Sequence, residues 1–64
     1  MKNNLVELRK KYGLTQADLA DCCGVTRQTI ISLENGHYNP SIILAHRLAV
    51  IFKTTIEKVF IFED

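Results

Sequence analysis

The stretch Thr15-Gln16-Ala17-Asp18-Leu19-Ala20-Asp21-Cys22-Cys23-Gly24-Val25-Thr26-Arg27-Gln28-Thr29-Ile30-Ile31-Ser32-Leu33-Glu34 is the most informative part of the chain. Thr15 stands three residues before Asp18, a capping-box-like pair. The hydroxyl accepts from free helix N–H groups, and the carboxylate favours the positive helix end. This predicts a helix from Gln16 to about Cys23, stopped by Gly24. Thr26 can cap again, and the apolar pair Ile30 and Leu33 forms one stripe on a second short helix, about Arg27 to Glu34. That helix ends before Asn35-Gly36, a pair tolerant of left-handed backbone. Two helices that cross at about 90–120° over a turn of a few residues need a small residue at the contact and a glycine in the turn. They also need apolar residues to fill the angle, and Ala20, Gly24, Val25, Ile30 and Leu33 meet these demands.

Working outward, Leu5, Leu8 and Tyr12 recur at helical spacing with charged residues between them, giving an amphipathic first helix from about Lys2 to Lys11, closed by Gly13. Asn39-Pro40-Ser41 makes a turn into a fourth helix, with Pro suited to the first helical turn and Asn and Ser to capping, and this helix should end near Phe52. Thr54 and Glu57 read as a capping box for a fifth helix starting at Thr55, carrying Ile56, Val59 and Phe60 inward. Ile61-Phe62-Glu63-Asp64 continues an apolar run and is either a frayed end or a short C-terminal strand. The expectation is an all-α fold, a single compact five-helix domain over residues 1–64. Its core should be Leu5, Leu8, Leu14, Leu19, Cys23, Val25, Ile30, Leu33, Leu44, Leu48, Phe52, Ile56 and Val59.

With 64 residues, 47% of them apolar and 23% charged, the composition is that of one small globular domain and is too apolar for a disordered chain. Apolar stretches broken by Arg47, Lys53 and Glu57 fall short of the roughly 20 residues a membrane helix needs. The N-terminus carries no secretory-type apolar run, so the expected location is cytoplasmic. Cys22 and Cys23 are adjacent and ill-placed for a disulfide, and His37 and His46 are far from them in sequence, so no metal spacing appears. No nucleophile with a base, paired-carboxylate site or phosphate-binding glycine loop is visible, which argues against an enzyme and against a cofactor or small-molecule ligand. The net charge of +1 is by itself a weak argument for nucleic acid.

Leu14-Thr-Gln-Ala-Asp-Leu-Ala20, Gly24-Val-Thr-Arg-Gln-Thr-Ile30 and Leu33-Glu-Asn-Gly36 resemble the phage-repressor (Xre/Cro-like) helix-turn-helix domains. Tyr38-Asn39-Pro40-Ser41 and the segment from Thr54 to Phe60 extend the resemblance over nearly the whole chain. The resemblance implies a transcriptional regulator in which the helix starting at Arg27 enters the major groove, while the N-terminus of the helix before it and the loop after it grip phosphates. Arg27, Gln28, Ile31 and Ser32 are then the candidates for base contact. Gln suits adenine, Arg suits guanine, and an apolar group at Ile31, where the family more often has a polar one, suits a thymine methyl. Arg27 fits either a base or a phosphate. Thr15, Gln16, Thr26, Asn35, Tyr38 and Asn39 are the phosphate candidates, and His37 stands where relatives typically carry Lys. Arg9 and Glu34 occupy positions of an ion pair that joins the first helix to the end of the third.

Ile43 and Val50 fall off the face that carries Leu44 and Leu48, and Ile61 and Phe62 add apolar area at the end of the chain, an excess of the kind that marks interfaces. The expected assembly is a homodimer with Phe60, Ile61 and Phe62 near its two-fold axis, reading a near-palindromic double-stranded DNA operator. Repression by occupancy of a promoter is the simplest mechanism for a chain with no room for a ligand domain. The alternative from another class is a protein-interaction module, such as an antitoxin or adaptor, that keeps the fold while Ile31 and the apolar tail serve a protein partner.

Overall fold

The computed structural model describes residues 1–37 and 39–62; Tyr38, Glu63 and Asp64 lie outside the described residues. Its five helices are α1 (Leu5–Lys11), α2 (Gln16–Cys23), α3 (Arg27–Glu34), α4 (Ile42–Ile51) and α5 (Ile56–Val59). Four of them start at a hydroxyl side chain. Thr15, Thr26, Ser41 and Thr55 each take extended backbone and accept the N–H of the residue three further on, which relieves one of the donors a helix start leaves bare. At α2 the arrangement is reciprocal, since Asp18 Oδ2 also accepts the Thr15 N–H at 3.0 Å. Gly24 closes α2 in the left-handed conformation at φ 69°, a region that costs a glycine little.

Three element ends differ from the sequence expectation. The first helix begins at Leu5 rather than Lys2, because the preceding residues are drawn into extended pairing with the C-terminal segment. Asn3 bridges Phe60 in antiparallel sense, the Asn4 N–H donates to Val59 O and the Ile61 N–H to Lys2 O. The fifth helix is capped by Thr55, not by a Thr54–Glu57 box; the register moves by one and leaves a single turn, 56–59. Pro40 precedes the Ser41 cap of α4 instead of lying inside its first turn. The C-terminal segment is thus extended at Phe60, but its strand partner is the N-terminus of its own chain.

Leu5, Leu19, Cys23, Ile30, Leu33, Leu44, Leu48, Phe52 and Val59 are buried in the core, while Leu8, Leu14, Val25 and Ile56 pack against it half-buried. Four buried side chains fall outside the expected set: Ala20, Ala45, Ala49 and Phe60. The alanines lie where helices come together, α2 against both α3 and α4 and α4 against α5, and a methyl is what so close an approach admits. Phe60 is 1% exposed. Its expected place at a two-fold interface is therefore corrected: its ring is consumed by the protomer's own core, because the Asn3 bridge turns it inward. Tyr12 closes the other end of the core, its hydroxyl donating to Phe52 O at 2.9 Å and its ring lying 5.5 Å from that of Phe52.

Cys23 sits in this core, and burial, reinforced by the neighbouring Cys22 and only partly offset by Arg47, pushes its thiol pKa up, leaving it a small apolar filler. The Asp18 cap behaves oppositely. The Thr15 backbone N–H and hydroxyl hold its carboxyl pKa below its ordinary value of 3.8. A group whose folded pKa is depressed adds stability that is complete above its unfolded value and disappears as pH falls through the folded one. Asp18→Asn should therefore melt lower than the parent at neutral pH, with the gap closing in the acid range below 3.8. Thermal melts of the two proteins across pH check this, and a gap constant with pH would show that the charge of Asp18 is not what the cap uses.

Candidate nucleic-acid interface

Ile30 and Leu33 turn α3 into the core, and this single choice decides which side chains the helix shows outside. Positions 27, 28, 31, 32 and 35 then share the outward side at helical spacing. Arg27, Gln28 and Asn35 are exposed, and Ile31 and Ser32 are half-buried beside them. All four base-contact candidates therefore lie on one face, with Arg27 and Gln28 at the N-terminal turn and Ile31 and Ser32 one turn on. Ile31 places a branched apolar group at the centre of an otherwise polar surface.

Beside that face, Arg9, Lys10, Gly13, Leu14, Thr15, Gln16, Ala17 and Arg27 line an open concavity of about 650 Å3. Its rim brings cationic side chains of α1 and α3 to the N-terminal turn of α2, where unpaired N–H groups and the helix dipole add further positive potential. Lys10 and Arg27 are the exposed cations of this rim, whereas Arg9 is paired with Glu34 and the exposed Asp18 carboxylate caps the same turn of α2.

One anchor holds this side of the molecule together. Arg9 Nε donates to Glu34 Oε2 at 2.7 Å and Arg9 Nη1 to Leu14 O at 3.0 Å, so α1 grips both the end of α3 and the approach to α2. The pair is largely withdrawn from solvent, with side-chain exposures of 14% for Arg9 and 5% for Glu34. Gln16 Nε2 donates at 3.0 Å to Glu34 Oε1, which Arg9 Nη2 also reaches at 3.5 Å, and Gln16 Oε1 accepts from Arg27 Nη2 at 3.3 Å. Gln16, expected to point at a phosphate, has its side chain turned instead to two protein partners, leaving its backbone N–H at the start of α2 as its outward group. Sequence spacing carried no sign of this link, which joins residues 18 apart.

Of the other phosphate candidates, Thr15 and Thr26 use their hydroxyl oxygens as caps, and Thr26 additionally shares a hydrogen bond with the Thr29 hydroxyl at 3.0 Å. Asn35 is exposed at the C-terminal end of α3. Asn39 does not join them; it lines an apolar groove with Pro40, Ile42 and Phe62 on another part of the surface. Tyr38 lies outside the described residues. The C-terminal end of α3 is tied down by the Asn3 side chain, which donates to Leu33 O at 2.7 Å, a contact the sequence reading missed. His37 and His46 are exposed, and among the described residues no cluster of His, Cys, Asp and Glu could hold a metal ion. Nor is any helix among them long and apolar enough to cross a membrane.

The helix-turn-helix family model matches residues 5–59 of this chain. The chain belongs to the helix-turn-helix regulators of the phage-repressor (Xre/Cro) type. An HTH-type transcriptional regulator of Archaeoglobus fulgidus is 50% identical over 64 residues, covering 100% of this chain and 91% of that protein. One of Methanothermobacter thermautotrophicus is 52% identical over 65 residues, covering 100% of this chain and 94% of its own. The HTH-type transcriptional regulator YgzD of Bacillus subtilis is 42% identical over 64 residues, covering 100% and 97% respectively. The regulator thus matches these relatives along their length, with α2 and α3 as the helix pair that gives the family its name.

Removing Arg9 would leave the Glu34 carboxylate withdrawn from water with Gln16 alone to satisfy it. Breaking a buried pair from one side costs about 3 kcal/mol. In a domain this small such a loss lowers the melting temperature by roughly 10 °C or more. Arg9→Ala should show that drop in a calorimetric melt. An unchanged melting temperature would mean that water replaces the guanidinium at no cost.

Proposed function

We propose that this regulator is a sequence-specific double-stranded DNA-binding repressor that acts as a homodimer, with α3 as the helix that enters the major groove. The observation that carries the reading is the outward face of α3, where Arg27, Gln28, Ile31 and Ser32 stand together beside the cationic concavity of α1 and α2. A helix in the major groove offers bases its first turns, where Gln28 can pair with adenine, Arg27 with guanine and Ile31 can pack on a thymine methyl. The phosphates on either side fall to the exposed N–H groups at the start of α2, to Lys10, and to Asn35 beyond α3. Binding over a promoter would exclude polymerase, so repression needs no further part.

The homodimer is supported by an apolar groove of about 250 Å3, in which Pro40, Ala45, Ile56 and Phe60 form the floor and the protruding Ile42 and Phe62 the edges. Ile42 is 82% and Phe62 59% exposed, so the same patch offers both projections and a recess, as a self-complementary two-fold contact requires. Two copies so joined would present their α3 helices to successive major-groove faces about 34 Å apart and demand a near-palindromic operator.

Exposure of Ile43 and Val50 on the outer side of α4, at 63% and 61%, favours a second reading. In that reading the domain is a protein-interaction module, antitoxin-like, and DNA is incidental. The two separate on salt: phosphate contacts release counterions, so DNA binding must weaken steeply as salt rises.

Selection of sequences from a random duplex library by the purified protein is the deciding experiment. The repressor reading expects an enriched inverted repeat whose affinity falls with salt, and no enrichment would overturn it in favour of the protein partner. Gln28→Ala should cost about tenfold on the selected site and less on random DNA, in line with one base-edge pair. Equal losses on both would remove its base-reading role. Phe62→Asp should sediment as a monomer and enrich half-sites, whereas a persistent dimer would move the two-fold contact away from the groove.

A further inference from the structure

We infer, resting on the proposed two-fold contact, that residues 1–3 form a strap coupling the apolar groove to the DNA-facing end of α3. A second copy seated in the groove then strengthens the grip of α3 on DNA, and DNA strengthens the dimer.

Two surfaces meet at this segment. On one side, Asn3 Nδ2 donates to Leu33 O at 2.7 Å and the Met1 nitrogen to Gly36 O at 3.0 Å. Leu33 O also accepts the Gly36 N–H at 3.0 Å, so both lone pairs of that carbonyl are used, one by the turn that closes α3 and one by the strap. Gly36 stands left-handed at φ 72°, and a β-carbon there would come within 3.0 Å of Met1 O. The strap thus lies directly over the turn, and Asn35, the exposed residue proposed for a phosphate, opens that turn. On the other side, Met1 lines the groove together with Ile42 and Phe62, the edges of the proposed two-fold contact. Asn3 sits between the two. Its Oδ1 accepts the Leu5 N–H at 3.1 Å and its backbone bridges Phe60, while its side chain is not among the described residues that line the groove.

A short terminal segment held by a few hydrogen bonds opens at small cost, so docked and open straps are the two states to be biased. A second copy in the groove meets Met1 only while the strap is docked. A phosphate at Asn35 favours the same state, because the turn it meets is the one that the strap holds. Two ligands that prefer one state of an equilibrium strengthen each other, and the effect is reciprocal.

The test uses the full chain and a duplex carrying a single half-site, which a dimer cannot bridge, so that avidity does not enter. Affinity per protomer is measured for wild type, Asn3→Ser, Phe62→Asp and the double variant, with thermal melts to show that each is folded. Serine keeps an oxygen for the Leu5 N–H but is too short to reach Leu33 O. The strap expects Asn3→Ser to weaken half-site binding roughly 5-fold in the dimeric background and little in the Phe62→Asp background. Without DNA, Asn3→Ser should also loosen the dimer several-fold in sedimentation, although its side chain is not in the groove. An Asn3→Ser loss equal in both backgrounds, or an unchanged dimer constant, would overturn the coupling, because Asn3 would then merely hold the end of α3. If Asn3→Ser fails to fold, Asn3→Asp, which keeps the oxygen facing Leu5 and loses the donor, decides the same cycle. A wild type that sediments as a monomer, or a dimer that survives Phe62→Asp, removes the groove contact and the coupling with it. A groove dimer with additive losses removes the coupling alone.

Discussion

A carboxylate withdrawn from water at the end of α3 has to be answered, and the way it is answered organises this side of the molecule. Glu34 is met by Arg9 from α1 and Gln16 from α2, so three helices are drawn to one point. An ion pair of this kind contributes little net stability compared with apolar replacements, since both charges must be desolvated. Its value lies in geometry. A planar guanidinium and a carboxylate meet in few orientations, and the end of α3 is thereby held at a defined angle to α1. The Asn3 side chain supplies a second fastening on the same end through Leu33 O, with the N-terminal segment itself paired to the segment after α5. The surface that α3 presents is thus secured at its C-terminal end by α1 and by the N-terminal segment, which in turn pairs with residues 59–61.

The core explains how a domain of 64 residues can support such a site. Small domains bury a low fraction of their surface, and this one compensates by using short helices whose ends are satisfied locally, so that little apolar burial is spent on holding bare backbone groups. Four hydroxyl caps and a left-handed glycine delimit helices of 4 to 10 residues, none of which would be stable alone. Alanines at 20, 45 and 49 then let the helices approach closely enough for leucines, Ile30 and Phe60 to fill the space between them. The regulator reading depends on this economy, because a packed back leaves the outward face of α3 free of structural duty.

The helix pair α2–α3 was legible in the sequence because its signals are local, although a local signal also misplaced the cap of α5 by one residue. The Thr15 and Thr26 caps, the Gly24 turn and the Ile30–Leu33 stripe each act over a few residues, and α2 and α3 begin and end where those residues place them. Legibility failed where the deciding partner was remote. Lys2 to Asn4 have no local reason to leave a helix, and only pairing with residues 59–61 takes them out of it. Phe60 was read both as turning inward from the fifth helix and as standing near a two-fold axis, and only the pairing of its backbone with Asn3 separates the two. The outward face of α3 followed from periodicity, whereas the commitment of Gln16 to Glu34 and Arg27 did not, because hydrogen bonds between side chains 11 and 18 residues apart leave no periodic trace.

By itself, then, the amino-acid sequence determined the helix pair, its turn and the face that α3 turns outward, because capping, glycine conformation and apolar periodicity are properties of neighbours along the chain. Tertiary structure alone decided that residues 2–4 pair with residues 59–61, that this pairing commits Phe60 to the core rather than to an interface, and that Gln16 links the Arg9–Glu34 pair to Arg27. Those outcomes depend on which distant groups are brought within hydrogen-bond reach, and only the packed arrangement of all five helices sets that distance.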